Sequence, residues 1–170
     1  MAGKARRVVA WRGLAWHGMD RRVGQGMVIT VDSREQVPWV FPPEFASVRR
    51  GTLRAGDYAL HGDDNFAIER KSLDDFCGTV SSGWDRFQRE LDRMANFPAL
   101  VVIVEAGMDD VIWHRYNHER VLPTFVMKRV AQLTMMNVSV LFAGNADIAA
   151  GLCWKLLRER AKQLEDLPGA

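Results

Sequence analysis

Cysteine is nearly absent from this 170-residue chain: only Cys77 and Cys153 occur, far apart and with no second pair nearby. That excludes a disulfide-stapled scaffold and a cysteine-built zinc site, and it fits two thiols kept reduced inside a cell. Long hydrophobic runs are missing as well. The longest, such as Ala99–Val104 and Val138–Ala143, fall far short of the ~20 apolar residues that a membrane-crossing helix needs. The N-terminus lacks the apolar stretch of a secretory signal, because Arg12, His17, Asp20, Arg21 and Arg22 interrupt every candidate, so the expected location is the cytoplasm. No excess of one charge marks the chain as a whole: 23 basic against 21 acidic residues leave a net charge of +2. With 48% hydrophobic and 26% charged residues, the composition is that of one globular domain with its own core, not of a disordered or fibrous chain.

The charge is unevenly distributed. Residues 1–27 hold Lys4, Arg6, Arg7, Arg12, Arg21 and Arg22 against Asp20, net +5, which leaves 17 basic and 20 acidic residues, net −3, for the body. The expected organisation is a basic, flexible extension over 1–27 followed by a folded domain over 28–167. With Trp11 and Trp16 among its arginines, the leader reads either as an arm for nucleic-acid phosphates or as a solvated tail.

Within the body, Val28–Asp32 is rich in β-branched residues and reads as a buried strand ending in an acid. Three prolines between Gln36 and Pro43 make the next stretch a loop. Ser47–Leu53 and Asp57–Leu60 read as strands, and the turn at His61–Asn65 joins the latter to Phe66–Lys71 as a hairpin. Ser72, with Asp75 three residues on, predicts a capped helix running to about Val80. Phe87, Leu91 and Met94 recur at helical spacing and predict a helix from Trp84 to Asn96, stopped by Pro98. Ala99–Glu105 has the unbroken apolar run of a strand covered on both faces. An irregular connection over 107–119, a helix over 123–136, a short buried strand over 138–142 and a helix over 145–166 follow, the last with Ile148, Leu152, Leu156 and Leu157 on one side. Strands alternating with helices give an α/β layered sheet.

Gly56-Asp57 followed by Glu69-Arg70-Lys71 concentrates the chemistry. Side chains alternate along a strand, so Glu69 and Lys71 share a face, and an antiparallel hairpin can bring Asp57 to the same site. Two carboxylates can hold a magnesium ion, which lowers the pKa of bound water and neutralises charge on a phosphodiester. A neighbouring lysine can hold or deprotonate the attacking water, or offset the transition-state charge. The same residues also fit plainer roles: a solvated strand edge, with Asp75 as a helix-capping acid, Arg70 as an ion-pair partner and Asp32 as a cap. Trp39, Phe41 and Phe45 in the proline-rich loop either stack on unpaired bases or pin the loop onto the sheet.

Together, Val31-Asp32-Ser33-Arg34-Glu35, Gly56-Asp57-Tyr58 and Ile68-Glu69-Arg70-Lys71-Ser72-Leu73-Asp74-Asp75 closely resemble the nuclease domain of the XPF-type structure-specific endonucleases, whose signature is G-D-x(n)-E-R-K-x-x-x-D. The likeness continues through Arg86-Phe87-Gln88, the strand ending at Glu105, and Val140-Leu141-Phe142-Ala143. It implies a restriction-endonuclease-like α/β fold, a central mixed β-sheet flanked by α-helices. It also implies magnesium- or manganese-dependent hydrolysis of branched, flap or junction DNA, an activity of repair and recombination. By the same likeness Asp57 and Glu69 carry the metal, Lys71 is the catalytic ammonium, Arg70 and Asp75 support the signature, and Asp32 lines the cleft, with Arg34, Glu35, Arg86 and Lys71 toward DNA. Family nuclease domains pair, and the Val121–Met136 and final helices resemble the region used, so a homodimer is implied. With no room after the domain for tandem helix-hairpin-helix modules, the layout resembles compact bacterial or phage relatives. The complete acid and lysine set favours an active enzyme over a non-catalytic DNA-binding or scaffolding subunit.

Overall fold

The computed structural model describes Trp16, residues 26–93 and residues 99–166. Six strands form one sheet: β1 (Val28–Asp32), β2 (Ser47–Gly51), β3 (Tyr58–Leu60), β4 (Phe66–Lys71), β5 (Ala99–Val104) and β6 (Val138–Phe142). Their order is β2-β1-β3-β4-β5-β6. β1 and β2 are parallel, β3 is antiparallel to both of its neighbours, and β4, β5 and β6 are parallel, so the sheet is mixed. Among the described residues five helices pack on it: α1 (Leu73–Val80), α2 (Trp84–Arg93), α3 (Met108–Ile112), α4 (Pro123–Met135) and α5 (Ala146–Glu165).

Strand alternation sorts the apolar residues into two cores. Ile29, Val31, Tyr58, Ile68 and Ile103 face α5 and the proline-rich loop, where Trp154, Cys153 and Leu157 are fully buried. Ala67, Leu100, Val102 and Val104 face the other way, against Phe76 and Val80 of α1, Phe87 of α2 and Val126 and Leu133 of α4. The aromatic residues of the loop resolve in favour of packing: Trp39, Phe41 and Phe45 are all buried, and the Phe45 carbonyl accepts a hydrogen bond from Trp154 Nε1 at 3.0 Å. Trp16 joins this cluster, stacked on Phe45 at 5.0 Å between centroids and edge-on to Trp154 at 6.0 Å. Its ring therefore belongs to the core and not to a solvated tail. Trp11 and the leader's basic residues lie outside the described residues.

Most strand limits agree with the sequence pattern, and the differences have local causes. β2 ends at Gly51 and β3 starts at Tyr58, because Asp57 is the turn residue that delivers the chain to the strand. The expected α2 residues beyond Arg93, Met94 included, lie outside the described residues. The connection expected to be irregular contains α3, whose first turn is held by the Asp110 carboxylate accepting from the Gly107 N–H at 2.9 Å. β6 is an edge strand, so only Val138 is fully buried, in contrast to the buried strand expected. In α5 the inward stripe is Ala149, Ala150, Cys153, Trp154 and Leu157, while Ile148 is exposed. Small residues at 149 and 150 let the helix approach the sheet closely enough to seat Trp154. Ser72 caps α1 as expected: its Oγ accepts from the Asp75 N–H at 3.1 Å and donates to Asp75 Oδ2 at 2.7 Å, an arrangement worth about 1 kcal/mol. Both cysteines are free and buried, and burial pushes the Cys77 thiol up to about 12.

One ion pair ties the hairpin turn to α5. Arg160 donates through Nε to Asp63 Oδ2 at 2.7 Å and through Nη2 to Oδ1 at 3.2 Å, and the Asp63 side chain is only 3% exposed. Arg160→Met would strand that carboxylate away from water and should cost about 3 kcal/mol in denaturant unfolding. Adding Asp63→Asn to it should recover part of the loss; equal losses in the single and double variants would show that the pair is not what holds the turn.

Candidate active site

The site begins with a backbone constraint. Gly56 has φ of +67°, and a Cβ there would lie 2.8 Å from the Ile68 carbonyl oxygen and 2.9 Å from the Ala67 Cβ. Only glycine fits against β4 in this conformation. The next residue, Asp57, is then locked on both sides: its N–H donates to the Ile68 carbonyl at 2.8 Å, and its own carbonyl accepts from the Asp32 N–H at 2.9 Å. Its side chain reaches across the hairpin, where Oδ2 accepts the Arg70 N–H at 2.8 Å. Glu69 stands one residue before that donor, and Lys71, two residues along the same face, donates from Nζ to Glu69 Oε1 at 2.6 Å. Asp57 Oδ1 and Glu69 Oε2 have no hydrogen-bond partner among the described residues. Both carboxylates line a cleft of about 510 Å³, shared with Arg34, Arg54, Phe87 and Glu90. Across the Glu69–Lys71 pair a second cleft, of about 530 Å³, is lined by Lys71, Asp75, Arg86 and His118.

The electrostatics follow from this crowding. Burial, the charge of Glu69 and, more weakly, that of Glu35 push the Asp57 carboxyl up to about 6, against the opposing pull of the Arg70 N–H and Lys71. Burial pulls the Lys71 ammonium down, but the charge and hydrogen bond of Glu69, with Asp57 and Asp75 behind them, outweigh it and hold the pKa above its ordinary value. The site thus carries a lysine fixed in its charged form beside an acid pair short of positive charge.

The other residues singled out from the sequence divide into groups. Asp32 is fully engaged: Oδ1 accepts from the Arg34 N–H at 2.8 Å and Nε at 2.7 Å, and Oδ2 from the Leu53 N–H at 2.8 Å and Arg34 Nη2 at 3.1 Å. It braces the end of β1 to the β2–β3 loop. The side-chain hydrogen bond from Arg34 holds its carboxyl down at about 2, against the opposing effect of burial. Arg34 itself remains 73% exposed and reaches the first cleft. Strand alternation sends Arg70 to the opposite sheet face from Glu69 and Lys71. There it donates to Glu105 through Nε at 2.8 Å and Nη2 at 3.2 Å, and to Glu35 Oε1 at 3.3 Å. Trp39 Nε1 also donates to Glu105, at 2.5 Å. Arg70 and Glu35 therefore tie the β1–β2 loop to the sheet and do not line either cleft. Asp75 caps α1 and borders Lys71, and Arg86, 74% exposed, lines the same second cleft. Sequence reasoning did not single out Arg54 and Glu90 in the first cleft, nor Glu105 as the partner of Arg70. The acid-free run from Phe45 to Gly56 was the available signal for Arg54, and the position of Glu90 one helical turn beyond Phe87 was the signal for Glu90.

The ERCC4 domain family matches residues 31–153, and the chain belongs to that family, the XPF-type structure-specific DNA endonucleases. Solved structures share the fold, among them two of the same protein. XPF from Aeropyrum pernix is 21% identical, with a TM-score of 0.61, over 82% of this chain and 67% of that one. XPF from Aeropyrum pernix in complex with DNA is 20% identical, with a TM-score of 0.60, over 84% of this chain and 68% of that one. No curated protein matches the sequence. The mixed sheet with flanking helices is the restriction-endonuclease-like fold that the sequence resemblance implied.

The Asp32 brace makes stability depend on pH. A carboxyl lowered from 3.8 to about 2 in the folded state contributes stability that is complete above pH 4 and disappears as pH falls through 2. Asp32→Asn should therefore unfold about 2 kcal/mol more easily at pH 7, and the two proteins should converge as the pH approaches 2. A difference that persists at pH 2 would assign the loss to shape and not to charge.

Proposed function

We propose that this protein is a divalent-metal-dependent endonuclease that hydrolyses phosphodiester bonds in branched, flap or junction DNA. Asp57 and Glu69 hold a magnesium or manganese ion, and Lys71 is the ammonium beside the scissile phosphate. The observation that carries the reading is the acid pair itself: two carboxylates from one hairpin line an open polar cleft, each with one oxygen unpartnered among the described residues, and burial and the charge of Glu69 push Asp57 up to about 6. No cluster of three or more acidic, histidine or cysteine ligands forms among the described residues. Two suffice, because magnesium retains several waters and is commonly held by one or two carboxylates. The donor set therefore fits.

When bound, the ion activates a water and offsets charge on the phosphate oxygens. The chain's own groups supply the remainder. Lys71, kept protonated by Glu69, acts through its charge and N–H donors and not as a base. Arg34 and Arg54 give the cleft wall the positive charge that a phosphate backbone needs, and Arg86 does the same in the second cleft. Asp32 and Arg70 are positioning residues: the first fixes the loop carrying Arg54, and the second fixes the strand whose N–H holds Asp57. Two copies pair through the α4 region, where Leu122, Met127, Met135 and Met136 are exposed, Met135 by 84%. Among the described residues no helix is long and apolar enough to cross a membrane.

Asp57→Asn and Lys71→Ala should each lower cleavage of a labelled flap by at least about 10²-fold while leaving binding of the same DNA in place. Near-normal cutting by both variants would end the proposal, and wild-type protein that binds but never nicks with magnesium or manganese would leave a DNA-binding subunit in its place. Calorimetric titration with manganese should show an affinity that weakens as pH falls below about 6, where a proton competes for Asp57. That pH dependence should be missing from Asp57→Asn.

A further inference from the structure

The open edge of the sheet carries charge that the chemistry of the cleft leaves unexplained. β2 is an edge strand, and Ser47, Val48, Arg49 and Arg50 are all exposed on it. Residues 45–56 contain Arg49, Arg50 and Arg54 and no acid, in a body whose net charge is −3. The register pairs Thr30 with both Arg49 and Ala59, and Val31 with both Arg50 and Tyr58. Alternation therefore puts Arg49 on the face that bears Asp57 and Glu69, and Arg50 on the other.

The two faces use their arginines differently. Arg50 is occupied within the fold, donating from Nη1 to the carbonyls of Asp32 at 3.0 Å and Glu35 at 2.8 Å. Arg49 meets only the His61 ring, at 2.9 Å, and Arg54 has no hydrogen-bond or ion-pair partner among the described residues. Neither guanidinium is ion-paired with a carboxylate among the described residues. Charged side chains on an edge strand ordinarily block pairing with another sheet. That role does not extend to Arg54, which lies beyond the strand in the wall of the cleft.

We propose that Arg49, Arg54 and the exposed guanidinium of Arg34 form a strip that seats the phosphate backbone of the DNA arm leading into the cleft. The strip runs on one sheet face from the edge strand β2 toward the acid pair; Arg49 and Arg54, which have no ion-pair partner among the described residues, match a polyanion whose charges repeat regularly along its length, and Arg34, although paired with Asp32, adds exposed positive charge between them. The inference rests on reading the cleft as a site of DNA cleavage.

The test measures binding of a labelled flap DNA by Asp57→Asn protein across roughly 50 to 200 mM salt. Adding Arg49→Gln and Arg54→Gln should lower the slope of log affinity against log salt by about 1.8, one lost phosphate contact contributing about 0.9. Arg49→Lys with Arg54→Lys should retain the slope, since charge and not fork geometry sets it. Lys155→Gln, on the helix covering the opposite face, should leave it unchanged, and thermal melts should show all variants folded. An unchanged slope in the double glutamine variant, or an equal fall in Lys155→Gln, overturns the strip alone. Absence of DNA binding by the Asp57→Asn parent at every salt concentration overturns the cleft reading as well.

Discussion

Two carboxylates forced together in a half-buried place are the constraint around which this structure is organised. Like charges at short range repel, and removing them from water adds to the cost, so Asp57 would leave the site if its backbone allowed. It does not. The left-handed turn at Gly56, the pair of main-chain hydrogen bonds on either side of Asp57 and the Arg70 N–H on its carboxylate leave the side chain one place to go. Lys71 removes part of the repulsion by binding Glu69, and burial with the remaining charge of Glu69 leaves the Asp57 carboxyl raised to about 6.

The three consecutive residues Glu69, Arg70 and Lys71 divide this work by pleat alone. The first and third project into the cleft. The middle one projects through to the other core and binds Glu105 at the end of β5, while Glu105 also holds the indole of Trp39. That clamp fixes the proline-rich loop, whose Trp39 N–H donates to Tyr58 Oη at 2.8 Å and whose Phe41 and Phe45 pack toward α5. The chemistry of one face thus depends on mechanical support from the other, and a short motif serves both because successive strand residues point in opposite directions.

What could be read from the sequence was local or periodic. β-branched runs marked β1 and β5, and the two-residue period put Glu69 and Lys71 on one side. The Gly-Asp pair before a hairpin indicated where a second acid would stand, and Ser72 with Asp75 indicated the start of α1. What escaped was set by packing between distant segments. Arg54 and Glu90 come to the acids from a loop and a helix with no shared pattern. Trp16 reaches Phe45 and Trp154 from far along the chain. The inward face of α5 was hidden because alanines, which carry little hydrophobic signal, are what lie nearest the sheet. The α3 helix is a single short turn whose only local mark is Asp110 three residues after Gly107.

The hairpin bearing both acids has one further consequence, for the order in which the chain assembles. β3 and β4 are joined by a brief turn, whereas β4, β5 and β6 are linked through whole helices. Hairpins close in microseconds, while parallel pairings must first bring remote segments together. Asp57 and Glu69 are therefore brought together by a local pairing that does not depend on the docking of the crossover helices. The spacing of the two acids is thus fixed within one short segment, whatever order the remote strand pairings follow.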